Sequence, residues 1–334
     1  MRVLVTGGAG YVGAHASVAL QQAGHEVVVL DNLSRGCRAT LDGIAAISGQ
    51  QPLFVQGDLR DGALLRRLLR EQAIEAVLHF AALKDVSESC QQPLHYYDNN
   101  VGGTLSLLQA MMSEGVTRIV FSSSAAVYGH ATAVPTPESA PFLATHPYGH
   151  SKQVCEQMLL DAAVTGGLQA AVLRYFNPVG AHPSAMIGDM AAASNLLPQI
   201  ARVAAGLQPY LQVHGQDYPT PDGTGVRDYV HVLDIADAHV QALLQLVRCA
   251  GSFTLNLGRG AGLSVLQLVT AFERASGRAV PLRFVPRRAG DVAISCADPA
   301  NAEVLLGWRA MLGPQRMCED AWRWQQHRPV RVVN

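Results

Sequence analysis

Thr6-Gly7-Gly8-Ala9-Gly10-Tyr11-Val12-Gly13 is the stretch on which the fold turns. It follows a strand-like run, Arg2-Val3-Leu4-Val5, and opens an apolar helical pattern. Gly8, Gly10 and Gly13 spell G-x-G-x-x-G, and the next apolar run, Val27-Val28-Val29-Leu30, ends on Asp31. A lone G-x-G-x-x-G is often just a glycine turn. Here strand, turn, helix, strand and terminal acid together make a βαβ dinucleotide site. The glycines let backbone approach a pyrophosphate, whose charge the helix N-terminus favours. Asp31 can bind both ribose hydroxyls, and its charge repels a 2′-phosphate. The expected cofactor is therefore NAD rather than NADP.

The rest of the chain bears this out as a pattern. Strand candidates fall at 2–6, 26–31, 52–56, 76–80, 117–121 and 169–174, with helical stretches near 11–23, 61–71, 95–113 and 148–165. Such alternation implies a Rossmann-type, doubly wound parallel sheet with helices on both faces. Ligands in these sheets bind beyond the carboxyl ends of the strands. After Arg174 the pattern changes. Residues 175–230 are rich in Pro, Gly and Asn, with a helical stretch near 195–205 and the short apolar run Tyr210-Leu211-Gln212-Val213. A helix near 233–248 and a strand near 253–256 follow, and a helix near 263–275 precedes the strand-like Leu282-Arg283-Phe284-Val285. The expected division is an NAD-binding domain over 1–174, receiving elements from 231–256, and a smaller interleaved C-terminal substrate domain over 175–334.

Composition excludes several classes. The 334 residues are about half apolar, enough for a large core, and the formal net charge is −1 with no basic or acidic block. Nothing electrostatic points to nucleic acid or an anionic membrane. No apolar run reaches the roughly 18 residues of a membrane span. The chain opens directly on a strand pattern, so no secretory signal is expected. Cys37, Cys90, Cys155, Cys249, Cys296 and Cys318 form no C-x-x-C, and the twelve histidines contain no H-E-x-x-H. The reading is free thiols in a reducing cytoplasm and no metal site.

The chemistry is carried by two further stretches. Ile119-Val120-Phe121 runs into Ser122-Ser123-Ser124, and Tyr148-Gly149-His150-Ser151-Lys152 is a Y-x-x-x-K. Positions i and i+4 share a helix face, so the lysine ammonium can sit near the phenol. A phenol with a pKa near 10 is a poor base at neutral pH, and a nearby cation favours its phenolate. A serine hydroxyl at a strand end can orient a substrate hydroxyl. These groups together suit deprotonation of a secondary alcohol while its hydride leaves to NAD⁺. Alone, Y-x-x-x-K is usually an exposed helical pair and a serine triplet a turn. Their order behind a dinucleotide motif is what gives them meaning.

The stretches TGGAGYVGAH, LDNLSRG, GDLRD, HFAALKDVSES, YYDNNVGGT, FSSSAAVYG, PYGHSK, RYFNPVGAHPS, NLLPQIA, DGTGVRDYVHV, NLGRG and PRRAGD together resemble the extended short-chain dehydrogenase/reductases, and among them the UDP-glucose 4-epimerase family. The similarity covers nearly the whole chain. The resemblance implies a catalytic set of Ser124, Tyr148 and Lys152. It implies that Gly7, Gly8, Gly10, Tyr11, Val12, Gly13, Asp31, Asn32, Asp58, Leu59, Phe80, Ala81, Ala82, Lys84, Asn99, Ser122, Tyr148, Lys152, Tyr175 and Phe176 line the NAD groove. For the sugar nucleotide it implies Lys84, Ser124, Tyr148, Asn177, Asn195, Leu196, Val213, Arg227, Arg288, Asp291 and Ser295, with the arginines on the diphosphate.

The implied activity is reversible NAD-dependent C4 epimerisation of UDP-glucose and UDP-galactose through a 4-keto sugar, by a cytoplasmic homodimer. Leu105, Leu108, Met112, Val154, Met158 and Ala162 are the interface candidates. Two departures stand out. The segment from Ser184 to Ser194 is shorter than the family's usual loop and lacks its Gly-Glu-Asp-Pro character. Ser295 stands where some relatives carry tyrosine, which would make room for UDP-N-acetylglucosamine and UDP-N-acetylgalactosamine. Two rival readings remain. One is a nucleotide-sugar 4,6-dehydratase or decarboxylase; relatives that eliminate water usually carry acid and base residues where Ala125-Ala126 stand, which argues against dehydration. A catalytically inactive NAD-sensing regulator would not need both Tyr148 and Lys152.

Overall fold

The computed structural model describes residues 1–190, 195–249, 251–288 and 290–327. The first part alternates through β1 (Arg2–Thr6), α1 (Tyr11–Gln22), β2 (Glu26–Asp31), α2 (Ala39–Ser48), β3 (Leu53–Gln56), α3 (Gly62–Glu71), β4 (Ala76–His79), α4 (Val86–Gln91), α5 (Pro93–Tyr96), α6 (Gly103–Glu114), β5 (Arg118–Ser124), α7 (Pro147–Val164) and β6 (Gln169–Tyr175). Beyond these lie β7 (Asn177–Val179), α8 (Leu196–Ala204), β8 (Leu211–His214), β9 (Val226–Arg227), β10 (Tyr229–His231), α9 (Val232–Arg248), β11 (Phe253–Leu257), β12 (Leu263–Ser264), α10 (Val265–Ser276), β13 (Leu282–Val285), β14 (Ile294–Ser295), α11 (Ala300–Leu306) and α12 (Pro314–His327).

Seven strands make one parallel sheet in the order β11-β6-β5-β4-β1-β2-β3. Strands covered on both faces read as continuous apolar runs, as β1, β2 and β4 do. One face is sealed by α1 and α9 over Val3, Val5, Val29 and Leu173. The other is sealed by α3, α6 and α7 over Leu4, Val28, Val77, Ile119 and Phe121. The chain leaves β1 towards β2 and β3, then returns to the far side of β1 as β4. That reversal opens a crevice at the carboxyl ends of β1 and β4.

The chain departs from this sheet after β6 and comes back to it. β11 pairs with β6 from Phe253↔Ala171 to Leu257↔Tyr175, and α9 packs on α1. The smaller lobe is thus interleaved with the larger. It has its own apolar cluster of α8, α10 and α12 residues, among them Ile200, Leu268, Phe272 and Met317. Among the helices, α2, α4, α11 and α12 went unseen in the sequence, as did the short strands β7, β9, β10, β12 and β14. The expected helix 95–113 is interrupted: α5 passes through a π-helical turn, Tyr97–Gly102, before α6 begins. That turn aims Asn100 inward, where its side chain accepts from the Leu83 amide (2.8 Å) and donates to the Leu83 carbonyl (2.9 Å) and Ser151 Oγ (3.0 Å). A regular helix would forgo this clamp on the loop after β4.

Three histidines are buried as neutral rings. His15 and His239 each use Nδ1 on a carbonyl one helical turn back, Tyr11 and Ile235. His79 sits between Thr6 Oγ1 (2.7 Å) and Thr104 Oγ1 (3.0 Å). Burial pushes His15 and His79 down to about 3 and His239 down to about 4. An unfolded histidine takes its proton near pH 6.5. Between these values the unfolded chain holds more protons than the folded one, so acid favours unfolding. Stability from these rings is therefore complete above about pH 6.5 and lost as pH falls toward about 3. The thermal midpoint, followed by circular dichroism, is expected to fall steadily from about pH 6.5 to about pH 4; an unchanged midpoint over that range would contradict their neutral burial.

Candidate active site

A cavity of about 530 Å³ runs along the carboxyl ends of β1, β2, β4, β5 and β6 and is closed on its far side by the smaller lobe. Its floor is the turn after β1. Gly7 has φ +71°, and a Cβ there would lie 2.7 Å from the Ala81 amide nitrogen. A Cβ on Gly13 would lie 2.4 Å from the Gly7 carbonyl oxygen. Gly10 is the N-cap of α1, and no side chain covers the amides of that first turn. Gly8 has a different task from the one expected. Its α-carbon faces Val29 and Val5, so it serves packing and stays off the cavity wall.

At the end of β2, Asp31 accepts from the amides of Ala9 (3.1 Å) and Leu33 (2.8 Å). Burial lifts its carboxyl, and these two bonds oppose the lift. Asn32 donates to Asp58 at 3.0 Å, and the Arg60 guanidinium holds Asp58 far below the usual carboxylate range. Tyr11, Val12, Leu59, Phe80, Ala81, Ala82, Lys84 and Asn99 complete this half of the wall. A glycine turn leading into a helix N-terminus without a side-chain cap, an acid at the next strand end and apolar flanks fit a dinucleotide such as NAD.

The reactive groups meet where β5 ends. Strand alternation turns Ser122 and Ser124 to the cavity and Ser123 away from it. α7 starts at His146, whose Nδ1 accepts the Gly149 amide at 3.1 Å, and Pro147 takes the first helical position. This start sets Tyr148 on the cavity wall one turn before Lys152. The Tyr148 phenol is pushed up by burial and eased down by a hydrogen bond with Ser124. Lys152 is 4% exposed. Its Nζ donates to the Ser122 carbonyl at 2.8 Å and lies 4.7 Å from the Phe121 ring centre. Burial pushes the ammonium down to about 8, opposed by the charges of Cys155 and Glu156. Tyr175 shares a 2.5 Å hydrogen bond with Ser122 Oγ, and burial raises its phenol.

Behind these groups, Glu156 and Arg174 form a buried ion pair with a 2.6 Å contact. Ser123 donates to Glu156, and Arg174 also reaches Tyr128 (2.9 Å) and the Glu138 carbonyl (3.0 Å). One network thus locks β5, β6 and α7 together.

Across the cavity stand Phe176, Asn177, Asn195, Arg227, Asp291 and Ser295. Arg227 Nη2 is 3.8 Å from Asp291 Oδ1, and Asn195 donates to Asp189 at 3.0 Å. Three expected substrate residues lie off this wall. Val213 is 1% exposed, because alternation along β8 turns Leu211 and Val213 into the small-lobe cluster. Leu196 packs against that same cluster, and Arg288 is exposed beyond the rim. Of the short segment 184–194, Gly188, Asp189 and Met190 line the cavity, while residues 191–194 fall outside the described residues. Sequence reasoning missed Arg35, Glu88 and His146, which also line it. The Thr-His-Pro sequence before Tyr148 was the available signal for His146, as a helix N-cap.

The model of the NAD dependent epimerase/dehydratase family matches residues 3–258. A curated UDP-glucose 4-epimerase of Bacillus subtilis (strain 168) is 50% identical over 328 residues, 97% of this chain and 97% of that protein. Among solved structures, a UDP-glucose 4-epimerase from Stenotrophomonas maltophila with bound NAD and formylated UDP-arabinopyranose is 54% identical, with TM-score 0.96 and 98% of each chain covered. One from Bifidobacterium longum, in complex with NAD⁺ and UDP, is 43% identical, with TM-score 0.94 over 98% of this chain and 99% of that one.

Proposed function

The chain belongs to the NAD dependent epimerase/dehydratase family, and from that premise we propose how its residues interconvert UDP-glucose and UDP-galactose at C4. The reading is carried by one observation: Ser124, Tyr148 and Lys152 share a cavity with the glycine turn on one side and Arg227 and Asp291 on the other. Bound NAD supplies a hydride acceptor at C4 and, in its reduced form, the hydride returned there. Tyr148 Oη takes the proton from the sugar O4 and gives it back. Ser124 Oγ orients that hydroxyl. The Lys152 ammonium holds the phenolate form of Tyr148 within reach. Arg227 anchors the diphosphate with a forked, charge-assisted contact while the 4-keto sugar turns over. Asp291 serves the uridine ribose, and Asn177 and Asn195 supply amide contacts. Ala125 and Ala126 occupy the positions where elimination of water would need proton-transfer groups, so dehydration is disfavoured.

Purified protein given UDP-galactose and no added oxidant is expected to produce UDP-glucose. Tyr148→Phe is expected to keep its NAD and lose kcat by a factor on the order of 10² or more. Near-normal turnover in folded Tyr148→Phe would remove Tyr148 from this role. In the same assay, room beside Ser295 predicts that UDP-N-acetylgalactosamine is also turned over and that Ser295→Tyr suppresses this reaction alone; a wild type inert to it would refute the Ser295 reading.

The protein further acts, on this reading, as a cytoplasmic homodimer. All six cysteines are free thiols, and no helix among the described residues is long and apolar enough to cross a membrane. Leu105, Met112 and Val154 are 45%, 53% and 41% exposed on α6 and α7. Leu108 is corrected: at 4% exposure it faces its own sheet, and Met158 and Ala162 pack partly against the same core. Three exposed apolar side chains on two adjacent helices suit a self-complementary contact. Light scattering is expected to give a two-chain mass for wild type and a one-chain mass for Met112→Glu with Val154→Glu; a one-chain wild type would contradict the dimer.

A further inference from the structure

We propose that Arg35 and Glu88 form a clasp across the dinucleotide groove that sets how long the cofactor stays seated. The inference rests on the NAD reading of that groove. In the sheet order β4-β1-β2, the loops after β2 and β4 flank the glycine turn after β1. Arg35 lies on the first of these loops and Glu88 on α4, just after the second. Their side chains are joined in an ion pair, and both line the cavity. The pair therefore spans the turn from one side to the other.

The two halves are held differently. Glu88 is a fixed catch. Its second carboxylate oxygen accepts the Tyr96 hydroxyl at 2.9 Å, and Tyr96 is fully buried and accepts the Asp85 amide at 3.0 Å. Arg35 is the moving part. Its backbone is pinned, since Leu33 and Ser34 donate to the side chains of Asp31 (2.8 Å) and Asn32 (3.0 Å), and Cys37 donates to the Ala9 carbonyl (3.3 Å). Its side chain, however, is 56% exposed. Only the arginine arm has to swing for the groove to open.

The chemistry gives the clasp a purpose. The cofactor must finish each cycle in the form in which it began. Release in mid-cycle would strand an oxidised sugar. A catch at the groove mouth slows that loss without touching the reacting atoms.

The test uses the whole protein loaded with NAD. Bound dinucleotide is counted after timed passage through a desalting column, for wild type, Arg35→Ala, Glu88→Gln, the double variant and Arg35→Lys. Exposed pairs of this kind change an equilibrium by up to about fivefold. Each single variant is expected to release NAD about two- to fivefold faster than wild type, the double variant no faster than either single, and Arg35→Lys close to wild type. Thermal midpoints near wild type confirm that each variant is folded. Wild-type release rates in both single variants, or effects that simply multiply in the double, would overturn the clasp. A wild type that retains no NAD would instead overturn the cofactor reading beneath it.

Discussion

The bond from Lys152 Nζ to the Ser122 carbonyl ties the chemistry of this protein to its fold. An ammonium buried to 4% exposure is expensive unless it is well partnered. Its partners here are a backbone oxygen at the end of β5, the face of Phe121 and, one turn on, the charge of Glu156. Each can be met only if α7 lies against β5 in one register. The same register fixes Tyr148 a turn earlier, beside Ser124. Glu156 is fully buried in turn, and Arg174 from β6 compensates its charge. Tyr148, Lys152 and Glu156 follow at i, i+4 and i+8 along one stripe of α7. The stripe runs from the cavity into the buried ionic network behind it.

This stripe explains what was legible in the sequence. Local periodicity exposed β1, the glycine turn and Asp31, because a parallel strand and a βα turn are specified by neighbours in the chain. Y-x-x-x-K was readable for the same reason. Arg174 looked like the end of a strand, since its partner Glu156 lies 18 positions away and pairs only through tertiary packing. Asn100 was equally silent. It belongs to an otherwise helical pattern, and the π-helical turn that redirects it answers to the loop after β4 rather than to its own neighbours. Val213 and Arg288 were placed by resemblance. Alternation along β8 and exposure at the rim, neither fixed by residue type, moved them off the wall.

Two lobes divide the remaining work. The sheet lobe presents a glycine turn, a helix N-terminus without a side-chain cap and a buried acid, suited to a cofactor that stays in place. The smaller lobe brings Arg227 and Asp291 to the opposite wall, suited to a charged group that must be held while the sugar turns. The chain returns to the sheet lobe as α9 and β11, and His239 of α9 packs on Phe80 at 4.6 Å between ring centres, the rings tilted by 39°. The cavity is therefore walled by the sheet lobe on one side and, on the other, by segments of the smaller lobe, whose chain leaves the sheet after β6 and returns to it at β11.

The central claim is that the buried Lys152 ammonium brings the Tyr148 proton into play. Tyrosine ring-carbon NMR across a pH series measures this directly, with the Tyr148 signal assigned by its loss in Tyr148→Phe. The Tyr148 phenol is predicted to ionise at distinctly lower pH in wild type than in Lys152→Met, because the cation favours the phenolate. Ionisation at the same or a lower pH in a folded Lys152→Met protein would contradict it.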